Sequence, residues 1–382
     1  MDDCQTPNVM ATNGAGLSPP STPFGTPPWE RGARLRNLAL RASLVASVTG
    51  LAFAGAAAAA PEHRLLDRPS LAAIADGPTF IPDTALRTAL SPSNFWGGTY
   101  TTSTNERVTI FASRSYPVDD SANQRWAEFF GSLVHGSELS QMTVYLAPPA
   151  QVSAICGGGA DVLGCYGNNS IVAPGEDEPG VAAESVITHE YGHHVAAHRS
   201  NAPWPAVAWG TKRWASYLNV CARARKHELF PGAEIPLEYQ FNPGEVFAED
   251  YRVLNEQRLG LPVAPWQVVD ASLQPDQQAL TLLQQDVLEP WTANGATQIS
   301  GRFTARGLSV RTYRIANTLD GTFSAAASGN PRVRVQILSG SKVVARGGSS
   351  AITTICGGSR SLSVRVTRLA GSGAFTLSLS RP

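Results

Sequence analysis

The sequence has no excess of charge of either sign and no Cys-x-x-Cys pair. Lysine and arginine together number 30, and so do aspartate and glutamate, which makes the formal net charge zero. A neutral chain without long basic runs lacks the electrostatic footprint of a nucleic-acid-binding protein, so we expect no nucleic-acid partner. The missing Cys-x-x-Cys spacing argues against a cysteine-based zinc site.

Long apolar runs are also scarce, and the exception lies near the N-terminus. Residues 1–28 are rich in proline, threonine and serine, which predicts disorder. Four arginines then precede an apolar run at residues 42–60 that ends in alanines. This order is typical of an export signal, although the run is nearly long enough for a membrane anchor. Residues 1–60 therefore predict a leader, with the rest of the chain secreted or anchored outside the cytoplasm.

Cysteines are few, and their number fits that location. Cys4 belongs to the leader, so four remain. Cys156 and Cys165 flank a glycine-rich loop, which favours a local disulfide between them. Cys221 and Cys356 would then pair by elimination, and the alternative is two buried free thiols.

The pattern of apolar residues divides the remaining chain into three regions. Residues 61–92 have no strong period and predict a linker or a short pro-like segment. Residues 93–291 begin with alternating, strand-like runs and continue with runs of helical period, which predicts an α+β domain. Residues 296–382 contain short β-prone runs separated by glycine, serine and Asn-Pro, which predict a small all-β sandwich without chemistry of its own.

The second region contains the motif H-E-x-x-H. On a helix, His189 and His193 lie four residues apart on one face, so both imidazoles can bind one ion. Glu190 is close enough to act as a general base toward a water at that ion without ligating it. The alternative is a surface helix with unrelated histidines. The apolar residues around the motif argue against it, because they predict that one side of the helix is buried.

A third zinc ligand is expected downstream. Asn242 and Pro243 predict a helix start, which places Glu245 and Glu249 on one helical face. One carboxylate can bind zinc while the other accepts the free N–H of a ligating histidine. Two acidic residues at this spacing usually form a solvated helix face, but beside a two-histidine site we favour the ligand interpretation.

Other zinc classes fit less well. The metzincin pattern requires glycine and histidine where Ala196 and Arg199 stand. His194 and His198 are at the wrong spacing to replace them. The stretch G-T-x-D-x-x-Y-G, which marks the aspartate-ligand class, is missing from the sequence downstream.

With these residues the sequence resembles the gluzincin metallopeptidases, the thermolysin-like clan. The resemblance covers mainly residues 140–255. It implies a two-lobed zincin-like catalytic domain that hydrolyses peptide bonds, with Zn²⁺ held by His189, His193 and Glu245. It also implies Glu190 as the base and Glu249 as the carboxylate behind the ligands.

Tyr239, six residues before Glu245, is a candidate donor to the developing oxyanion, because the resemblance implies a tyrosine or histidine in this role, as in several gluzincin families. A packing role for this tyrosine is the alternative.

The C-terminal region is similar in texture to the pre-peptidase C-terminal sandwich of secreted bacterial peptidases. The residues behind this similarity are Tyr313-Arg314-Ile315, Leu319-Asp320-Gly321 and Cys356-Gly357-Gly358. We therefore expect a secreted, monomeric zinc peptidase with a peptide or protein substrate and contact with a cell wall or surface through this region. The alternative is a non-catalytic cell-surface binding protein with a structural zinc site.

Overall fold

The structure is a computed structural model, and it describes residues 94–157, 162–266, 268–357 and 360–382. The predicted leader at 1–60 and the predicted linker at 61–92 lie outside the described residues. Within the described part, the architecture is mixed α and β, as the sequence predicts.

A five-stranded sheet forms one side of the N-terminal half, in the order β1-β2-β3-β5-β4. Its central strands β2, β3 and β5 run parallel, and the two edge strands are antiparallel to their neighbours. The hairpin between β1 and β2 turns at Asn105, whose φ of 69° suits asparagine better than most residues. The strands are β1 Phe95–Thr101, β2 Arg107–Ser113, β3 Thr143–Ala147, β4 Cys165–Gly167 and β5 Ser170–Pro174. Farther along the chain, β6 Ser200–Asn201 and β7 Trp204–Pro205 form a separate two-stranded antiparallel sheet.

Helices cover this sheet and form the rest of the half. Helix α1 begins after Asp119, whose carboxylate accepts hydrogen bonds from two backbone amides of the first turn. Two long helices, α3 and α8, pack against each other in the core. The helices are α1 Asp120–Ser132, α2 Pro149–Cys156, α3 Ala183–Ala197, α4 Ala206–Trp209, α5 Lys212–Tyr217, α6 Val220–Ala224, α7 Pro236–Tyr239, α8 Pro243–Leu259 and α9 Gln277–Leu288.

One predicted helix is interrupted. The sequence pattern predicts a continuous helix over residues 211–226, but the structure has α5 and α6 with a break between them. Asn219 lies at the break with a left-handed φ of 56°, which ends a right-handed helix. Asparagine tolerates this conformation, which explains why the apolar period alone does not reveal the break.

The C-terminal region is a β-sandwich. Two four-stranded antiparallel sheets, β13-β10-β15-β8 and β12-β11-β14-β9, enclose a common apolar core to which both contribute. The strands are β8 Gly295–Phe303, β9 Val310–Asn317, β10 Gly321–Gly329, β11 Arg332–Ser339, β12 Lys342–Gly347, β13 Ser350–Ile355, β14 Arg360–Ala370 and β15 Gly373–Arg381.

A covalent bond and polar contacts join the sandwich to the helical part. Both expected disulfides are present, and the Cys221–Cys356 bond links α6 to the loop after β13. The Lys212 ammonium is buried at this junction, where it donates to the Ala202 carbonyl at 2.7 Å and lies over the Trp291 ring. Burial lowers the pKa of Lys212 to about 8, although nearby aspartates oppose this shift.

Arg199 lies just beyond helix α3, and its side chain joins the end of this helix to the rest of the domain. Its guanidinium lies 2.9 Å from the Glu138 carboxylate and donates to the carbonyls of Asp286 and Val287 at the end of α9. Glu138 is only 1% exposed. Burial opposes ionisation of Glu138, but Arg199 and the Gly136 amide together hold the pKa of Glu138 below its ordinary value.

The variant Arg199→Ala should therefore be strongly destabilised, because it leaves the buried Glu138 carboxylate without its ion-pair partner. We expect a loss of about 3–5 kcal/mol in the free energy of unfolding at pH 7. A carboxyl with a lowered pKa stabilises the fold above its unfolded pKa and loses that contribution as the pH falls through its folded pKa. The difference in unfolding free energy between wild type and variant should therefore become smaller below about pH 4.5, where glutamate in the unfolded chain takes up its proton.

Urea denaturation at several pH values measures this difference. The control is Arg125→Ala, which removes an exposed ion pair with Asp119 and should leave the denaturation midpoint unchanged. An equal, pH-independent effect of both substitutions would show that the Arg199–Glu138 pair contributes no special stability.

Candidate metal centre

The H-E-x-x-H motif lies in the middle of helix α3, and this helix is buried on almost all sides. Val186, Ile187 and Val195 pack in the main core. His189 and His193 therefore face the neighbouring helix α8 from a fixed helix rather than from a surface loop. The His193 side chain is 2% exposed and the His189 side chain is 11% exposed.

Helix α8 brings the predicted carboxylates to the same place. Asn242 caps this helix by accepting from the Gly244 amide at 3.0 Å, and Pro243 occupies the first turn, as the sequence predicts. The Asn242 side chain also contacts the backbone of the preceding loop at Gly232 and Ala233. The start of α8 is thus fixed, and it carries Glu245, which is fully buried.

Gly192 allows the two helices to approach closely. A Cβ atom at this position would lie 2.8 Å from the Cα atom of Ala248, a distance that requires the backbone to move. Glycine inside a helix costs about 1 kcal/mol relative to alanine, so its presence here is explained by packing and not by helix propensity. The close crossing places the Glu245 carboxylate within reach of both motif imidazoles.

The three predicted ligands form one group. One donor atom from each of His189, His193 and Glu245 lies within 4.8 Å of the other two. The Glu245 Oε2 atom is 3.3 Å from His189 Nε2 and 3.4 Å from His193 Nε2. A tetrahedral zinc ion with bonds of about 2.0–2.1 Å separates its ligand atoms by about 3.3–3.4 Å. The spacing and the donor types therefore fit a zinc ion.

Several buried polar atoms at this site have no hydrogen-bond partner in the described part of the chain. They are His193 Nε2, Glu245 Oε1 and Glu190 Oε2. Buried polar atoms are rarely left unpaired, since each such atom costs free energy. Three such atoms at the group of ligands are an independent indication that the site holds a cation.

Glu249 lies behind the ligands, where the sequence analysis places it. Its carboxylate is 3.1 Å from His189 Nδ1 and also accepts from Arg252 at 2.9 and 2.5 Å. Burial alone would raise the pKa of Glu249, but Arg252 and His189 outweigh it and lower this pKa to about 2. An ionised Glu249 favours a proton on Nδ1 of His189, whose Nε2 atom lies on the side of Glu245.

Charged neighbours shift the pKa values of His189 and Glu245 in opposite directions. Burial disfavours the charged form of His189, but hydrogen bonds to Glu245 and Glu249 raise its pKa to about 10. Burial likewise opposes ionisation of Glu245, and the two imidazoles together lower its pKa far below the ordinary value. Protons therefore compete with a cation for the imidazoles.

Glu190 and Tyr239 both border the metal centre. Glu190 is 7% exposed, and burial raises its pKa while the two imidazoles oppose that rise. The Tyr239 hydroxyl donates to Glu245 Oε2 at 2.8 Å. Tyr239 thus contacts a ligand carboxylate in this structure, and its predicted role as an oxyanion donor stays a prediction.

The other histidines of this region are not part of the group. His194 is fully buried, and its Nε2 atom is 2.9 Å from the Glu138 carbonyl. Burial lowers its pKa to about 4. His198 contacts the His194 carbonyl through Nδ1 at 2.9 Å. Both contacts belong to the packing at the end of α3.

Two residues at the site were not singled out by the sequence analysis. Arg252 follows Glu249 by three residues, a spacing that places both on one helical face, so this pairing had a detectable signal. Gly164 had none. A Cβ atom there would lie 2.7 Å from Glu190 Oε1 and 2.9 Å from Val186 Cγ1, so only glycine lets this backbone lie directly against the glutamate.

A small, partly open cleft lies beside the ligands. His193 and Glu245 line one part of it, and Tyr166, Val207 and Ala208 contribute to its walls. Glu234 also borders the pocket, and its pKa is raised by burial and by the neighbouring Glu245. The metal centre is thus accessible from a cleft that mixes small apolar, aromatic and acidic groups.

Comparisons with known proteins give little more. No family model and no curated protein matches the chain. One solved structure that resembles part of it is PliG of Aeromonas hydrophila, a periplasmic lysozyme inhibitor of g-type lysozyme. It is 14% identical with a TM-score of 0.21, over 24% of this chain and 88% of that one.

Another is the pre-peptidase C-terminal domain of a collagenase from Bacillus anthracis. It is 15% identical with a TM-score of 0.18, over 22% of this chain and 87% of that one. With TM-scores this low, neither match informs on the activity of this chain. Among the described helices, none is long and apolar enough to cross a membrane.

The metal centre predicts that Glu245→Ala abolishes tight metal binding. The variant keeps both imidazoles but loses the carboxylate that lies 3.3 and 3.4 Å from them. Elemental analysis after dialysis should give about one zinc per wild-type chain and far less than one for the variant. The control is Glu228→Ala, which removes an exposed carboxylate elsewhere. Full zinc occupancy in Glu245→Ala would remove this residue from the ligand set.

Proposed function

We propose that the chain is a secreted zinc-dependent peptidase of the gluzincin type, with His189, His193 and Glu245 as ligands. The observation that carries the proposal is the convergence of these three buried donor atoms from helices α3 and α8 at spacings that fit a tetrahedral ion. Three protein donors leave a fourth position for water or substrate, which is the arrangement of catalytic zinc sites.

When bound, zinc supplies Lewis acidity that polarises a scissile carbonyl and lowers the pKa of water in the open position. Glu190 follows His189 directly on α3, and its carboxylate is buried beside the imidazoles. Burial raises the pKa of this carboxyl toward the range in which a group both accepts and returns a proton near neutral pH. We assign Glu190 to take the proton of the attacking water and to deliver it to the leaving amine.

The loop before β4 sets the place of that carboxylate. Gly164 lies against Glu190 and is followed by Cys165, whose disulfide to Cys156 ties the loop to α2. Both cysteines are buried in a small apolar cluster. The disulfide thereby holds a glycine surface against one side of the base, and this contact favours one position of the Glu190 side chain.

A peptide can reach the site along the edge of the sheet. Strand β4 is at the edge in the order β1-β2-β3-β5-β4, so one of its backbone sides has no neighbouring strand in the described structure. Tyr166 of this strand also lines the pocket beside the ligands. An extended peptide that adds to this edge by backbone hydrogen bonds would pass the metal centre.

The overall arrangement supports a two-lobed zincin-like domain. One lobe contains the five-stranded sheet with α1, and the other contains α4 to α9, with the motif helix α3 in contact with both. The two disulfides agree with a location outside the cytoplasm, where such bonds persist.

A structural zinc site in a non-catalytic binding protein is the competing function. Structural sites are closed by four protein ligands, whereas the group in the described residues has three. A base beside an open position would have no purpose in such a site. The presence of Glu190 therefore favours catalysis.

The variant Glu190→Gln tests the proposal. It should retain one zinc per chain, because Glu190 is not a ligand, and lose at least about 100-fold in kcat, because the amide cannot accept a proton. Hydrolysis of a quenched fluorescent peptide library, with zinc content measured in parallel, provides both readouts. Wild-type protein that contains zinc but hydrolyses no peptide would support the structural alternative, and undiminished activity of Glu190→Gln would exclude Glu190 from the reaction.

The variant Gly164→Ala tests the placement of the base. The added methyl would overlap Glu190 Oε1 and Val186 Cγ1 and displace the carboxylate without touching the ligands. We expect kcat to fall about 10- to 100-fold with unchanged zinc affinity, since a misplacement of about 1 Å can cost that much. The control is Gly98→Ala on β1, where a Cβ atom meets nothing within 4 Å. Equal activities of both variants would show that Gly164 does not position Glu190.

A further inference from the structure

The formal neutrality of the chain conceals two strongly charged regions of opposite sign. Residues 296–382 contain eleven arginines and one lysine, against one aspartate and no glutamate. Residues 93–291 contain 22 acidic against 11 basic residues. The β-sandwich is therefore strongly basic, which the total charge of the whole chain does not reveal. Sequence features of this kind bear on binding partners and not on the fold.

Four arginines of the sandwich lie on the outer face of one sheet, β12-β11-β14-β9. Alternation along each strand places Val333, Val335 and Val364 in the core and Arg334 and Arg365 on the opposite face. Each of the four strands contributes at least one arginine to this outer face. These residues, which we call the arginine face, are Arg314 on β9, Arg334 on β11, Arg346 on β12 and Arg365 on β14.

The arginine face is accessible. Arg314, Arg334 and Arg346 are exposed, and Arg365 is half-buried. None of the four takes part in an ion pair within the described residues, and the one described acidic residue of the sandwich, Asp320, is buried at the junction with the helical part. Four like charges held close together without counter-charges favour an anionic partner.

Hydroxyl groups stand opposite most of these arginines. In the strand register Arg314 pairs with Ser363 and Arg365 pairs with Thr312. Arg334 pairs with Thr367. Residues directly opposite each other on one face have Cβ atoms about 4.5–5.5 Å apart, so these three arginines each have a hydroxyl-bearing residue as a direct neighbour. The face thus repeats one unit, an arginine next to a hydroxyl, three times.

This repeated unit fits phosphate better than carboxylate. A guanidinium fork engages two oxygens of either group. A carboxylate has no further oxygen, whereas a phosphate group within a polymer keeps bridging oxygens besides the two that the fork engages, and one of these can accept from the neighbouring hydroxyl. Aromatic residues are missing from the outward positions of these strands, so the face offers no platform for stacking bases or sugar rings. A four-stranded sheet is also wider than the α-helix or two-stranded ribbon that a duplex major groove admits.

We propose that the arginine face binds a flexible, phosphate-bearing polymer outside the cell and thereby holds the protein at its site of action. The proposal does not depend on the peptidase assignment. Because the contacts are exposed ion pairs, each is individually weak and the affinity comes from their number. Binding should therefore fall steeply with salt, with a slope of about −3 in a plot of log affinity against log salt for four contacts.

The test uses the full-length protein and long-chain inorganic polyphosphate as the probe, with binding measured by fluorescence anisotropy at several salt concentrations. The face variant combines Arg314→Gln, Arg334→Gln, Arg346→Gln and Arg365→Gln. We expect its affinity to fall about 100-fold and the salt slope to approach zero. The charge-matched control combines Arg302→Gln, Arg306→Gln, Arg125→Gln and Lys226→Gln, and it should bind within about threefold of wild type. Unchanged binding by the face variant would overturn the proposal.

A second variant separates phosphate recognition from general charge attraction. Thr312→Val, Ser363→Ala and Thr367→Val together remove the three hydroxyls and leave every charge in place. We expect this variant to bind polyphosphate about fivefold more weakly and polygalacturonate, a carboxylate polymer, as wild type does. Equal binding of both polymers by wild-type protein would contradict phosphate selectivity. Tighter binding of duplex DNA or of phosphatidylglycerol vesicles than of polyphosphate would replace the proposed partner with that class.

Discussion

The candidate site depends on the close crossing of two helices. Gly192 of the motif helix lies against Ala248 of the second helix, and a side chain at the glycine would force their backbones apart. With the helices at this distance, Glu245 reaches both imidazoles and Glu249 reaches the far nitrogen of His189. Because these groups are buried, the unpaired polar atoms at their centre are costly unless a cation occupies it. The contact between Gly192 and Ala248 therefore sets the geometry of the site. It also brings together buried polar atoms that a cation could pair.

Much of this site could be predicted from the sequence because its signals are local. The spacing of His189 and His193 on one helix, and of Glu245 and Glu249 on another, follows from helical periodicity. The start of the second helix could be read from Asn242 and Pro243, and the structure has it there. The meeting of the two helices could be expected only from the resemblance to a known clan, since nothing in the local pattern specifies which helices pack together.

Features that arise from tertiary contact were not predictable in the same way. The contact of Gly164 with Glu190 joins a disulfide loop to the motif helix, and no periodicity links them. The break at Asn219 depends on a single left-handed residue within an apolar pattern that otherwise continues. In the sandwich, β12 and β13 have short, mixed sequences that alternate only weakly, and pairing with β11 and β10 is what makes them strands.

The two halves of the molecule are rich in charges of opposite sign. Acidic residues dominate the part that contains the candidate metal centre, where carboxylates pair with buried arginines and histidines. Basic residues dominate the sandwich, and the exposed Arg314, Arg334 and Arg346 take part in no ion pair within the described residues. The Cys221–Cys356 bond and the buried Lys212 join these halves firmly, so a polymer held by the sandwich would also hold the metal centre. A polyanion would repel acidic segments near it, and peptides without acidic residues would then approach the cleft more easily.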